Sequence, residues 1–218
     1  MTNRERAILA VTALKKEYPN AECSLIYSDP IQMLIATRLS AQCTDSRVNS
    51  VTPALFKRFP TVYDFANADV SEVEEYICPC GLYKTKAKDI VNMCKEIIQR
   101  YNGTVPDTIE ELTTLPGVGR KTANLVVGDI YSKPSVVVDT HFIRITARLG
   151  FHNTKDPFKI EQIMKKILPE NESSDFCHRV VIHGRAVCNA REPKCDKCCM
   201  IGFCEYGKNF SNSNKKDD

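Results

Sequence analysis

The strongest constraint on the fold is an apolar stripe that recurs at steps of three and four residues near the middle of the chain. It runs through residues 87–101 and ends at Asn102, which is followed by Gly103, a pair that favours the end of a helix. The pattern predicts an amphipathic helix over residues 82–101 with one buried face.

Most of the remaining sequence also has helical character. Segment 5–17 carries apolar residues at helical spacing, and Asp29 followed by Pro30 combines an N-cap with a first-turn proline. Only residues 135–138 resemble a strand, and because they have no partner run we expect an extended lead into Asp139. The sequence therefore predicts an all-α fold. Further helices are predicted over residues 45–58, 70–78, 108–113, 119–131, 139–149, 157–167 and 174–187.

Composition narrows the class of protein. At 218 residues the chain can form one compact body or two small lobes. Its 30 Lys and Arg residues against 27 Asp and Glu residues give a net charge of +3, a mild indication of a polyanionic partner. No apolar run has the length of a membrane span or a signal peptide, which predicts a soluble intracellular protein with reduced cysteines and no membrane partner. The polar residues 207–218 predict a flexible tail.

Two closely spaced glycines precede a predicted helix in the run Leu-Pro-Gly-Val-Gly-Arg-Lys at residues 115–121. Gly117 and Gly119 allow backbone conformations and close approaches that are closed to other residues, with N–H groups directed outward at the helix start. Such a hairpin can bind an anion, and a DNA phosphate would fit it. The alternative is a plain turn between two helices.

Lys121 and Asp139 are the candidate catalytic residues. Lys121 lies in the first turn of a helix, where the positive end of the dipole disfavours an ammonium, and a neutral amine can form a Schiff base. Asp139 precedes another predicted helix, so its commonest role is an N-cap. An ionised carboxylate there could also stabilise a sugar cation, and the two roles are compatible.

Four of the eleven cysteines form a C-x6-C-x2-C-x5-C array near the end of the chain. This spacing in a reduced protein indicates a closed four-thiolate metal site, and it leaves both zinc and a [4Fe–4S] cluster open. Cys199 could compete with its neighbour as a ligand. Arg or Lys occurs five times across residues 178–198, against two acids, which indicates a basic loop suited to a phosphate. The array residues are Cys188, Cys195, Cys198 and Cys204.

Taken together, these motifs resemble the helix-hairpin-helix DNA glycosylases. The resemblance is carried by Leu-Pro-Gly-Val-Gly-Arg-Lys-Thr-Ala at 115–123, Val-Asp-Thr-His at 138–141, His-Gly-Arg at 183–185 and the cysteine array. Leu-Ser-Ala-Gln at 39–42 and the run from Gly-Leu-Tyr at 81–83 through Lys-Ala at 86–87 extend it, so that it covers residues 5–206. The chain departs from the family pattern at Cys43, Cys177 and Glu192.

The resemblance implies a base excision repair enzyme with two all-α lobes. One is a six-helix barrel over residues 22–133, and the other is an iron–sulfur lobe built from residues 1–21 and 134–206. It implies a bifunctional glycosylase that removes oxidised or ring-saturated pyrimidines from double-stranded DNA and then cleaves the strand, acting as a monomer in the cytoplasm at the nucleoid. It also implies a [4Fe–4S] cluster on the four cysteines.

The resemblance also implies individual roles. Lys121 is expected to attack C1′ of the sugar, and Asp139 to assist it. Gln42 and Leu82 are expected to fill the gap that a flipped nucleotide leaves, although a packing or surface role is the ordinary reading of both. The full set of residues expected to contact DNA is Ser40, Gln42, Leu82, Gly117, Val118, Gly119, Arg120, His141, Arg191 and Lys194.

Three other functions remain open from the sequence. A monofunctional glycosylase would use water as its nucleophile, but those relatives carry a different residue at the position of Lys121. A non-catalytic DNA-binding module would explain the hairpin but neither Asp139 nor the cysteines. A zinc-stabilised helical interaction protein would be colourless, whereas a [4Fe–4S] protein is brown.

Overall fold

The computed structural model describes residues 1–208, and no β-strand occurs among them, so the predicted all-α fold is confirmed. Within this part of the chain no helix combines the length and apolar character needed to cross a membrane. Short 3₁₀ turns lie at Cys78–Cys80, Glu170–Glu172 and Cys195–Lys197. The α-helices are α1 (Asn3–Glu17), α2 (Pro30–Ser40), α3 (Asp45–Arg58), α4 (Val62–Asn67), α5 (Val70–Ile77), α6 (Tyr83–Tyr101), α7 (Ile109–Leu112), α8 (Arg120–Asp129), α9 (Thr140–Arg148), α10 (Pro157–Ile167) and α11 (Ser173–Ala186).

The chain divides into two compact units. The central unit is Cys23–Ser132 and contains α2 to α8, of which six are longer than one turn and α7 has four residues. The terminal unit combines Met1–Glu22 with the chain from Lys133 onward.

Helix α6 organises the core of the central unit. It packs against α4 and α5, while α2 packs against α3 and α8. The predicted stripe is buried: Ala87, Ile90 and Ile97 are fully inaccessible. Burying one such aliphatic side chain stabilises the fold by about 1.5–3 kcal/mol. Asn102 has a left-handed backbone (φ 52°) and ends the helix, as the Asn-Gly pair predicts.

Helix α4 was not expected from the sequence. It has only six residues, too few for a recognisable apolar period. Its signal is a capping box, in which the Asp64 carboxylate accepts a hydrogen bond from the Thr61 backbone N–H at 2.9 Å and the Thr61 hydroxyl accepts one from the Asp64 N–H at 3.2 Å. A threonine followed three residues later by an acid could have located it.

The terminal unit is built on α11, which packs against α9 and α1. Phe142 of α9 meets Phe176 of α11 edge to face, with ring centroids 6.1 Å apart. The buried Arg6 of α1 donates to the Leu149 carbonyl at 3.0 Å and pairs with Glu205 at 2.7 Å. The N-terminal helix is thereby attached to segments that follow it by more than a hundred residues in the chain.

The segment before Asp139 and the C-terminal tail contain no long helix. Residues 135–138 belong to no helix and no sheet, so the run without a partner strand forms no ladder, as predicted, and Ser135, Val136 and Val137 are buried. The flexible tail was predicted to begin at residue 207, which is too early. Gly207 is buried and the Lys208 N–H donates to the Cys204 carbonyl at 3.0 Å, so these two residues are anchored. Residues 209–218 of that expectation lie outside the described part.

The cysteines outside the array were expected to be mostly buried apolar side chains. Cys80, Cys94 and Cys177 are buried, whereas Cys23 and Cys43 are half-buried. Cys78 is exposed, so the expectation is wrong there. It lies in the 3₁₀ turn at Cys78–Cys80, where only Cys80 faces the core.

Candidate functional site

The first glycine of the hairpin is required by both conformation and space. Gly117 has φ 72°, a left-handed value that favours glycine. A Cβ atom at this position would lie 2.7 Å from Nε of Arg38 and 2.9 Å from Cβ of Asp89. Arg38 of α2 and Asp89 of α6 form an ion pair with an Nη2–Oδ2 distance of 2.6 Å. The hairpin therefore rests on this pair, whose two residues lie far from it in the sequence and carry no motif of their own.

The second glycine is not needed for its backbone conformation, but it leaves the space that the expected close approach of a ligand requires. Gly119 has φ −90°, which any residue can adopt, and a Cβ atom there would meet nothing within 4 Å. Gly119 is the N-cap of α8, and no side chain caps this helix. What its missing side chain provides is open space above the uncapped first turn, where a ligand can approach the backbone.

The residues between and after the glycines are used differently. Val118 is 6% exposed, and its N–H donates to the Leu115 carbonyl at 3.1 Å. Its amide is thus engaged in closing the hairpin and is not directed at a ligand. Arg120 is half-buried in the first turn of α8.

Lys121 is exposed, in contrast to the partial burial considered from the sequence. Within the described residues no hydrogen bond or ion pair holds its amine. The charges of Asp129, Asp45 and Lys121 all act on the half-buried thiol of Cys23, so these four residues lie in one neighbourhood of the central unit. Burial raises the pKa of Cys23 to about 11, and this thiol is therefore neutral at physiological pH.

Gln42 and Leu82 share an uncommon backbone. Their φ values are 54° and 50°, in the left-handed region that costs a side-chain-bearing residue about 1–2 kcal/mol. Both side chains are exposed, Leu82 to 59%. An exposed leucine held in a strained conformation contributes little to the core, and such strain is found preferentially at functional sites.

The turn that carries Gln42 is closed by its neighbours. The Cys43 N–H donates to the Ser40 carbonyl at 3.1 Å, so residues 40–43 form a β-turn with Gln42 at its third position. The Ser40 hydroxyl donates to the Thr37 carbonyl at 2.9 Å. Ser40 therefore contributes to the end of α2.

Lys86 is a buried residue next to these turns and was not among the residues with a predicted functional role. It has 0% exposure, and its Nζ donates to the Leu39 carbonyl at 2.8 Å and to the Cys80 carbonyl at 2.5 Å. Its only sequence signal is its place in the motif that runs from residue 81 to residue 87, because lysine on an amphipathic helix normally lies on the solvated face.

Asp139 forms the expected N-cap in the terminal unit. Its Oδ1 accepts a hydrogen bond from the Phe142 N–H at 2.7 Å, and the residue is half-buried. One carboxylate oxygen is thus engaged by the start of α9.

His141 lies where α9 and α11 approach each other closely. A Cβ atom on Gly184 would come within 2.6 Å of the His141 Nδ1, and Arg144 Nη2 is 3.1 Å from the same nitrogen. Burial lowers the pKa of His141, while the charge of Asp139 opposes that shift. In this structure His141 packs the two helices together.

The four cysteines of the array line one small pocket. Cys199 is exposed and is not part of the lining, so its side chain is not placed to substitute for Cys198. Among the described residues no group of three or more His, Cys, Asp or Glu side chains converges on a point that a single metal ion could occupy.

Side chains from three helices hold the array. Arg148 of α9 donates to the Cys188 Sγ at 3.2 Å and stacks on Tyr206, with its Cζ 4.7 Å from the ring centroid. On the other side His183 of α11 has its Nε2 3.4 Å from the Cys198 Sγ. The Nδ1 of His183 lies 3.2 Å from the hydroxyl of Tyr18, which ends α1.

The electrostatics of the array disfavour free thiolates. Burial raises the pKa of Cys198 to about 12, and the neighbouring thiols Cys199, Cys188 and Cys204 act in the same direction. Four thiolates in this space therefore require a compensating positive charge.

The basic loop is smaller than the sequence suggests. Arg179 is 3% exposed and pairs with Glu172 at 2.9 Å and Asp175 at 2.8 Å, so it is not available to a ligand. Arg191 and Lys194 are exposed, and the Lys194 Nζ donates to the Ala186 carbonyl at 3.3 Å.

Sequence comparison identifies relatives along nearly the whole chain. Residues 35–170 match the HhH-GPD superfamily of base excision DNA repair proteins. The endonuclease III of Synechocystis sp. is 46% identical over 204 residues, covering 93% of each chain. The endonuclease III of Escherichia coli strain K12 is 36% identical, covering 94% of this chain and 97% of that protein.

Solved structures agree with the sequence relatives. A trapped endonuclease III–DNA covalent intermediate is 40% identical, with a TM-score of 0.89 over 97% of this chain and 100% of that one. A thermostable thymine-DNA glycosylase, at 22% identity and a TM-score of 0.85, shares the fold. The chain therefore belongs to the endonuclease III family of DNA glycosylases and AP lyases, within the HhH-GPD superfamily of base excision DNA repair proteins.

Proposed function

We propose that this enzyme binds double-stranded DNA, excises oxidised or ring-saturated pyrimidines and cleaves the strand at the resulting abasic sugar, with Lys121 as the nucleophile. The observation that carries the proposal is the exposed Lys121 amine in the first turn of an uncapped helix, directly behind the hairpin at Gly117–Gly119. A solved relative is a trapped covalent intermediate with DNA, and covalent chemistry requires a nucleophile of this kind.

The chemistry follows from the amine. The Lys121 nitrogen forms a bond to C1′ as the C1′–N bond to the base breaks, and the base leaves with a proton. Opening of the sugar ring gives a Schiff base. Loss of a C2′ proton then breaks the C3′–O bond and expels the 3′ phosphate, and water releases the lysine. Asp139 supplies an ionised carboxylate that stabilises positive charge developing on the sugar.

The hairpin is proposed to bind a backbone phosphate on the strand that is cut. Gly119 leaves the first turn of α8 uncapped and open to a ligand, and Gly117 fixes the turn against Arg38 and Asp89. Backbone N–H groups at a helix start attract an anion. Arg120, in the same turn, would add positive charge, so affinity should fall as salt rises.

Gln42 and Leu82 are proposed to enter the base stack when the target nucleotide leaves it. Their side chains are exposed on strained turns of the central unit, which suits groups that contact a ligand more than groups that support the core. Flipping requires unstacking, and a ring-saturated base stacks poorly, so the damage itself contributes to selection.

The cysteine array is proposed to hold a [4Fe–4S] cluster. All four thiols line one cavity, yet no three ligand side chains converge on a single-ion position among residues 1–208. Four thiolates can hold either a zinc ion or a [4Fe–4S] cluster, and the resemblance to the helix-hairpin-helix DNA glycosylases favours the cluster. The cluster would brace the loop that carries Arg191 and Lys194, the exposed cations proposed to contact a second phosphate.

The metal assignment has a direct test. The purified protein should be brown, absorb near 400 nm and contain about four iron atoms per chain. Cys198→Ser should lose the colour, whereas Cys199→Ser should keep it because Cys199 does not line the cavity. A colourless protein with one zinc ion would contradict the assignment.

The reaction has an equally direct test. Borohydride should trap a covalent complex of the protein with a duplex containing one dihydrothymine, and strand cleavage should accompany base release. An undamaged duplex should give neither product. Base release without a crosslink or a nick would mean a monofunctional enzyme, and binding without base release would mean a non-catalytic module.

We propose a monomer that works on chromosomal DNA in the cytoplasm at the nucleoid. Light scattering of the enzyme on a single-lesion duplex would test the stoichiometry, for which one protein per duplex is expected.

A further inference from the structure

Lys86 is a buried ammonium that no step of the reaction uses. Its side chain is inaccessible, and its Nζ donates to two main-chain carbonyls, those of Leu39 at 2.8 Å and Cys80 at 2.5 Å. No carboxylate forms an ion pair with it in the described part of the chain. It lies in the first turn of α6, within the central unit.

A charge in this environment carries a desolvation cost. Burial lowers the pKa of Lys86, whereas the nearby thiols of Cys43 and Cys80 act in the opposite direction. Desolvation of a charge is costly, and apolar residues of similar volume often replace buried charges without loss of stability. The presence of a lysine is therefore explained by the two main-chain carbonyls that accept its hydrogen bonds.

The acceptors belong to the two turns that carry Gln42 and Leu82. Leu39 lies in the last turn of α2, directly before the turn at residues 40–43. Cys80 ends the 3₁₀ turn before Leu82, and the Lys86 backbone N–H donates to the Leu82 carbonyl at 3.1 Å. One residue thus connects the starts of both turns.

We propose that Lys86 is a positioning residue that holds the turns of Gln42 and Leu82 at a fixed separation, so that both side chains enter the DNA stack together. This rests on the proposed role of Gln42 and Leu82 as gap-filling residues. Both turns are strained and exposed, and without the tie each could relax independently.

The test compares a reaction that needs gap filling with one that does not. Lys86→Met keeps the volume and removes the ammonium. Single-turnover base excision from a duplex with one dihydrothymine should fall about tenfold, the effect of losing one buried hydrogen-bonded tie. Borohydride trapping on an abasic site in single-stranded DNA, which has no stack to fill, should change less than about twofold.

The matched control is Lys88→Met, which removes the same charge from an exposed position on the same helix. It should leave both reactions within about twofold of the wild type. Lys86→Gln keeps a donor on a shorter side chain and should lie between Lys86→Met and the wild type on the duplex. A loss shared equally by both reactions and accompanied by a lower melting temperature would reduce Lys86 to a structural role and overturn the proposal.

A spectroscopic readout addresses positioning itself. With 2-aminopurine opposite the lesion, wild-type binding should change the fluorescence as the base pair opens, and Lys86→Met should lose most of that change. An unaltered signal would overturn the proposal.

Double variants separate this inference from the proposed function. If Gln42→Ala with Leu82→Ala already loses duplex excision, adding Lys86→Met should cause no further loss, because the three residues act as one unit. Duplex excision that survives Gln42→Ala with Leu82→Ala would remove the gap-filling role itself. Duplex excision lost by that pair but retained by Lys86→Met would remove only the role of Lys86.

Discussion

The two candidate catalytic residues lie at two helix starts that differ in how their N–H groups are satisfied. At α9 the Asp139 carboxylate caps the helix with a hydrogen bond of 2.7 Å from the Phe142 N–H. At α8 the N-cap is Gly119, and no side chain caps the helix. One helix start is completed by the protein and carries a negative charge, whereas the other leaves its positive end open to an anionic ligand.

The difference separates a stabilising feature from a binding feature. A capped helix start gains about 1 kcal/mol from its cap. A helix start with glycine at the N-cap forgoes a few tenths of a kcal/mol of stability relative to serine or aspartate, and the open space above Gly119 is what a ligand can use. The same local geometry therefore supports two functions, depending on one side chain.

The largest expected effect is at the open helix start. Lys121→Ala removes the proposed nucleophile and should abolish the borohydride crosslink, with a loss of at least about 10³-fold in excision. Because Lys121 is exposed, its removal should leave the melting temperature unchanged. A persistent crosslink in this variant would show that another amine attacks the sugar.

Asp139→Asn tests whether the capped helix start also acts in the chemistry. Asparagine is as good an N-cap as aspartate, so stability should be unchanged, whereas loss of the charge should slow excision by about 10²-fold. DNA affinity should change far less than the rate. Asp139→Ala should show the same slow chemistry and also lose about 1 kcal/mol of stability. Wild-type turnover by the asparagine variant would reduce Asp139 to a cap.

Gly117→Ala tests the support beneath the open helix start. A left-handed backbone costs a side-chain-bearing residue about 1–2 kcal/mol. The new methyl group would also press on Arg38 and Asp89, so the free energy of unfolding should fall by at least that amount. Chemical denaturation measures this. Gly119→Ala is the control: its methyl group meets nothing within 4 Å, so it should lose less stability than Gly117→Ala, only the difference between alanine and glycine as an N-cap.

The smallest expected effect comes from making the two helix starts alike. Gly119→Ser adds a capping hydroxyl to α8, which should raise the stability by about 0.3 kcal/mol. The same side chain occupies the space above the helix, so affinity for an abasic-site duplex should fall on the order of threefold. Stability and affinity that rise together would argue against a phosphate at this position.

The regular elements were largely predictable from the sequence, because local patterns determine them. The apolar stripe of α6 lies within a single helix, and the Asp29–Pro30 start of α2 lies within a single turn, so both can be recognised from adjacent residues. Helix α4 was missed because six residues carry no period. The tail was assigned from a residue that is still anchored, since Gly207 is buried by contacts that polar composition does not reveal.

The candidate site was predictable only in part. Motif spacing selected Lys121, Asp139 and the four cysteines, whose roles stay predictions. The contacts that hold these regions come from distant segments: Arg38 and Asp89 beneath Gly117, and His183 beside Cys198. Arg179 was counted in the predicted basic loop but is buried in an ion pair, because a run of basic residues does not distinguish a buried ion pair from an exposed cation.

The sequence by itself determined the helical class, the helix starts and the motifs, because capping and amphipathic periodicity act over a few residues. Only the tertiary structure decided which polar groups are open and which are engaged. Gly119 is open, Val118 is engaged, and Lys86 is buried beneath two strained turns. Burial and long-range hydrogen bonds depend on segments far apart in the chain, and local sequence does not show which of these segments come into contact.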